Sequence, residues 1–176
     1  MQLHIGAHRT TSTRLRNRLG PAGGYAAIGN TVQVASLSNF LDSLDKEYHL
    51  PRTILYTLNP ADNPVFASLT GSFAEDGVCG KIQFGPAWWY NDHLEGITRQ
   101  LLTLSSYGLL GTSIGMTTDS RSVLSMLRHN YFRRILCNLL GTWIEEKKLP
   151  GDPDFASTLV KRISYYNIKN WLHYER

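Results

Sequence analysis

The stretch MTTDSRS, residues 116–122, sets an acid, small hydroxyls and a guanidinium side by side behind an apolar run. Asp119 and Arg121 are two residues apart, so on an extended chain their side chains leave on the same side. They can neutralise one another as a surface ion pair worth under about 1 kcal/mol. Alternatively a ligand lies between them and uses both. An arginine fork takes a carboxylate through parallel hydrogen bonds, and a carboxylate can ligate a metal or move a proton. Asp119 also has a plainer reading, as the cap of a helix that begins near Ser122.

Other groups with chemistry fall in short clusters: His4, His8 and Arg9; Asn59, Asp62 and Asn63; Trp88, Trp89, Asn91, Asp92 and His93. Neutral imidazole at His4 could ligate a metal, or sit satisfied in a core. The Trp88-Trp89 pair could wall a sugar site or fill core, and strand alternation sends one ring each way. Asp92 and His93 could simply open a helix, where an acid suits the dipole.

The elements that must position these clusters alternate. Short β-like runs at 1–7, 52–58, 80–85 and 112–118 are each followed by a helical pattern, at 31–49, 61–77, 93–111 and 122–148. In the last of these, Leu124, Leu127, Tyr131, Ile135, Leu139 and Trp143 form an apolar stripe. Gly108 stands where a helix C-cap belongs, PGDPD at 150–154 breaks the chain, and an extra helix covers 155–172. The reading is α/β: four βα units with a parallel sheet, one domain over 1–176. Four units make a small open sheet or half of an eight-stranded barrel. Ligands in such folds bind at the carboxyl ends of the strands, and there the clusters above collect.

Bulk properties narrow the function. The 176 residues are 42% hydrophobic and 18% charged, with a formal charge of +4. Basic residues gather only in RLRNR and RHNYFRR, which read as helix faces, so nucleic-acid binding lacks its concentrated footprint. No run approaches the roughly 18 apolar residues of a membrane span, and the start shows no signal peptide. We expect a cytoplasmic chain with Cys79 and Cys137 as buried free thiols. No P-loop, zinc-finger spacing, nucleophile elbow or dinucleotide fingerprint occurs.

Six blocks in order, MQLHIGA, LPRTILYTLNPADN, GKIQFGPAWWYND, GMTTDSRS, RHNYFRRILCNLLGTWIE and the closing YYNIKNW, resemble the uronate (glucuronate) isomerase family of the amidohydrolase superfamily. The resemblance implies a metal-dependent (β/α)8 barrel that interconverts D-glucuronate with D-fructuronate and D-galacturonate with D-tagaturonate in hexuronate catabolism. It implies a divalent metal, zinc first, with His4 and Asp119 as ligands. It makes Asp119 and Arg121 catalytic, and places Arg121, Arg9, Trp88, Trp89, Asn91 and Asp92 against a uronic acid substrate. Family chains are more than twice as long and carry paired metal ligands on their first strand, whereas this chain has no HxH or HxD pair. The expectation is therefore the C-terminal half of the barrel, incomplete alone, and self-associating through its open sheet edges. The alternative is a non-catalytic module that binds acidic sugars or nucleic acid.

Overall fold

Strand β4 is the centre of the fold, and its sequence TILYT shows why. β-branched and aromatic residues on both sides of the chain suit a strand buried on both faces, and all five residues of Thr53–Thr57 are buried. The computed structural model describes residues 1–120 and 122–172. Along them run β1 (Gln2–Ile5), β2 (Ala7–His8), α1 (Thr13–Leu19), β3 (Ala27–Ile28), α2 (Val34–Asp45), β4 (Thr53–Thr57) and α3 (Asn63–Ser72). They continue with β5 (Ile82–Phe84), α4 (Leu94–Tyr107), α5 (Met126–Glu145), α6 (Pro153–Lys161) and α7 (Asn167–Trp171).

β1, β4 and β5 form a parallel sheet in the order β1-β4-β5, while β2 and β3 make a separate antiparallel pair. Register sets Leu3 beside Leu55 and His4 beside Tyr56, so alternation sorts the two faces. One face carries Leu55, Ile82 and Phe84 against α2, α3, α4 and α5 in a large apolar core. The other face is smaller: Ile54, Tyr56 and Leu58 pack with Trp88, Ile114 and Trp171. At the amino end of β5, buried Lys81 is held by Asp45 at 3.3 Å and by Glu75. That charge is structural and lies at the end of the sheet away from the clusters of interest.

Expectations are corrected at four points. The fourth strand, expected at 112–118, is extended chain outside the sheet: the Gly115 N–H is donated to the Ile163 carbonyl at 2.9 Å, not to a neighbouring strand. The sheet therefore has three parallel strands among the described residues, not four. The stripe on α5 is also rotated. Phe132, Ile135, Leu136 and Leu140 are buried, while Leu124 and Leu127 are exposed. Residues 123–125 form a separate 3-10 turn with Ser122 capping it, so the helix starts later and turns a neighbouring face inward. Finally, Cys79 and Cys137 are free as expected but exposed; Cys137 points away from the face that buries Leu136 and Leu140. The final helical region is broken too: α6 passes through a π-helical turn at Arg162–Tyr166 before α7.

Candidate functional site at the carboxyl ends of the strands

The chain beyond β1, the turn beyond β5 and the extended segment after 112 bring side chains to one hollow. Beyond β1, Arg9 reaches the Trp89 ring, its Cζ 5.7 Å from the centroid, within cation–π range. Beyond β5, a 3-10 turn at Trp89–Asn91 leads into α4. Beyond the extended segment come Thr118, Asp119 and Ser120. Together Arg9, Trp88, Trp89, Asp92, Thr118, Asp119, Ser120 and Arg128 line an open hollow of about 510 Å³.

Behind Trp88 lies an aromatic cluster whose other members, His4 and Tyr56, do not line the hollow. His4 lies flat on Tyr56, ring centroids 4.4 Å apart and planes 10° apart, with Trp88 edge-on at 4.7 Å. Trp88 is buried and donates its indole N–H to the Thr57 carbonyl at 3.2 Å. Trp89 turns the other way, half-exposed and stacked on Tyr90 at 5.0 Å. The neighbouring rings thus divide between core and rim, through the 3-10 turn and left-handed backbone at Trp89 rather than strand alternation. Burial pushes the Tyr56 hydroxyl above its ordinary value; the Thr117 side chain opposes this, and the Asp119 charge adds to it.

Two rim residues carry backbone strain. Asp119 has φ 44° and Trp89 has φ 50°, both in the left-handed region. Asp tolerates that region, whereas for a bulky aromatic it is a genuine outlier. Such positions cost of order 1–3 kcal/mol and gather where function over-determines the geometry. Asp119 is exposed. Capping duties fall elsewhere: Ser120 Oγ accepts from the Ser122 N–H at 3.2 Å, and Ser122 Oγ from the Leu124 N–H at 3.3 Å.

The acids and amides of the other turns are divided. Asp92 is not the helix opener; His93 is, its Nδ1 accepting the Gly96 N–H at 3.3 Å. The Asp92 side chain is 2% exposed and paired with Arg128, and its Oδ1 has no partner among the described residues. Asn91 sits outside the hollow, with its amide donated to the Leu58 carbonyl at 2.8 Å. Asp62 accepts the Val32 N–H at 2.9 Å, and Asn59 donates to the Gly29 carbonyl at 3.0 Å; both secure loops. Arg121 lies outside the described residues. The sequence reading did not single out Tyr56 or Arg128. Tyr56 shares a face with Ile54 by alternation, but its partnership with His4 depends on register between strands distant in sequence. Arg128 belongs to RHNYFRR, whose charges carry no mark of which side faces a loop.

Burial lifts the Asp92 carboxyl above its ordinary range, and Arg128 restrains the shift only in part. A carboxyl raised on folding holds its proton more readily in the native chain. Its contribution to stability is therefore present at acid pH and lost as pH rises through the folded value. Asp92→Asn, neutral at every pH, lacks that acid-side contribution. In urea unfolding, the stability of the parent relative to the variant should rise as pH is lowered from 7 towards 4. A difference that stays constant or shrinks contradicts this assignment.

A metal fits poorly on this chain alone. Among the described residues, no three His, Cys, Asp or Glu side chains converge as a ligand set. His4 and Asp119 could supply two donors, short of the roughly three or four protein ligands of a stable site.

Comparison with known proteins places this geometry among relatives. A family model described as glucuronate isomerase matches residues 1–172. Uronate isomerase of Caldanaerobacter subterraneus subsp. tengcongensis is 52% identical over 172 residues, covering 98% of this chain and 37% of that protein. The Geobacillus thermodenitrificans uronate isomerase is 49% identical, covering 97% and 37%. Among solved structures, uronate isomerase from Thermotoga maritima superposes with a TM-score of 0.84 at 34% identity, over 97% of this chain and 36% of that one. Glucuronate isomerase from Caulobacter crescentus gives 0.86 at 26% identity, over 100% and 35%. The chain thus spans 37% of the length of the curated relatives it matches.

Proposed function

The chain belongs to the glucuronate isomerase family, and we propose that it supplies one wall of the active site of an aldose–ketose isomerase for uronic acids in the cytoplasm. In this reading it is the C-terminal portion of a (β/α)8 barrel whose other strands close against β1 and the extended segment 113–118. The observation that carries the proposal is the hollow itself. A solvent-facing carboxylate at Asp119, a cation at Arg9 and two indoles meet at the carboxyl ends of parallel strands, where such folds do chemistry.

The reaction moves a proton between neighbouring carbons of an open-chain sugar through a cis-enediol. A base must take that proton and return it one carbon away, and a general acid–base group in position contributes about 10²–10⁴-fold. In this reading Asp119 transfers protons at the substrate oxygens and carbons. Arg9 and Arg121 provide cations for the carboxylate that every uronate carries. The exposed face of Trp89 suits the C–H face of a sugar, over the buried Trp88. A divalent metal, zinc first, is what the family resemblance implies, and this chain would offer His4 and Asp119 as two of its ligands. The uncovered edges of the three-stranded sheet, and the exposed run Val123, Leu124, Met126 and Leu127, favour association, including with a second copy of the chain.

A chimera tests the proposal. Residues 1–172 replace the matched stretch of the Caldanaerobacter uronate isomerase, and conversion of D-glucuronate to D-fructuronate is assayed with added zinc. Turnover within about tenfold of the parent relative is expected, against no turnover from that relative with the stretch deleted. A folded but inactive chimera sinks the reading.

A further inference from the structure

Arg128 lies in the first turn of α5 and lines the hollow that holds Asp119. Its Nη2 donates to the Asp92 carboxylate and, at 3.1 Å, to the Asp92 backbone carbonyl. A guanidinium carries five N–H donors in a rigid fork. Asp92 engages one nitrogen of that fork, and among the described residues nothing engages Nη1 or Nε. Arg128 is 40% exposed while its partner carboxylate is 2% exposed. The acid is therefore committed to the protein, and the cation is presented to the hollow. An ion pair that only fastened α5 to the turn after β5 would have no need of a guanidinium edge on a ligand-sized opening. The rotamer freedom that an arginine gives up on gripping an anion is already lost here, which lowers the cost of binding.

Resting on the uronate reading above, we infer that Arg128 is a carboxylate-binding residue, positioned by Asp92, that makes this hollow prefer acidic sugars to neutral ones. Arg9 stands over Trp89, and both cations line the same hollow. Asp119 is left to meet hydroxyl and carbonyl groups.

Trp88 and Trp89 line the hollow, so tryptophan emission of the full chain reads occupancy. The chain is titrated with D-glucuronate, with the neutral D-glucuronamide and with acetate. Arg128→Gln is expected to weaken glucuronate about tenfold, the loss of one charge-assisted bond, and to leave glucuronamide unchanged. Arg128→Lys keeps the charge without the fork and should recover part of the loss. Asp92→Asn should weaken glucuronate to a lesser degree and spare glucuronamide. Circular dichroism confirms that each variant is folded. If Arg128→Gln binds glucuronate as the parent does, or loses both sugars alike, the inference is overturned while the uronate reading stands. If the parent ignores both sugars yet binds acetate in an Arg128-dependent way, the uronate reading falls and Arg128 as an anion-binding residue survives. A parent that responds to none of the three overturns both.

Discussion

Asp119→Asn in the isomerase chimera is expected to lower turnover by about 10²–10⁴-fold, the usual contribution of a positioned acid–base group, with little change in folding stability. Asparagine preserves size and tolerates the left-handed backbone that Asp119 adopts at φ 44°, so the fold has no reason to respond. Neither Ser120 nor Ser122 depends on the carboxylate for its capping bond. What changes is the capacity to hold and move a proton. The measurement is steady-state turnover with D-glucuronate beside a thermal melt. Turnover within a factor of ten of the unsubstituted chimera would remove Asp119 from the reaction. A melt lowered by many degrees would assign the carboxylate a structural role instead.

Trp88→Ala should be the most damaging single truncation near the hollow, costing about 3–5 kcal/mol in folding stability. Trp88 is 4% exposed and forms the hub of the smaller core. His4 meets it edge-on, Tyr56 lies 6.3 Å away and Trp89 5.7 Å away. Removing the indole empties that space and leaves the Thr57 carbonyl without its donor, itself a cost of about 1–3 kcal/mol for a buried acceptor. Trp88→Phe should recover most of the packing but not the hydrogen bond. Urea unfolding of the chain followed by circular dichroism gives both values. An alanine variant within about 1 kcal/mol of the parent would mean that the aromatic cluster around Trp88 is not a core at all.

Several parts of the fold were legible before any coordinates. TILYT shows a strand buried on both sides, and Asn59-Pro60 marks where it stops. Gly108 does close α4, its N–H donated to the Leu104 carbonyl. The rotated stripe of α5 was misread because Leu124 and Leu127 fit helical spacing equally well. Periodicity counts apolar residues without saying which of two overlapping faces meets the sheet. The 112–118 segment has strand composition, yet strands exist only through partners, and its Gly115 N–H goes to the chain around Ile163.

By itself the sequence determined the α/β class, the family, and the chemical types available at the strand ends, because these follow from local patterns and ordered motifs. Only the tertiary structure decided which of those groups share a space. Register between β1 and β4 lays His4 on Tyr56. The packing of α5 brings Arg128 to Asp92 across 36 residues of chain, and a side-chain bond to Leu58 takes Asn91 out of the hollow. Each outcome depends on contacts between residues far apart in the chain, and no local pattern records those contacts.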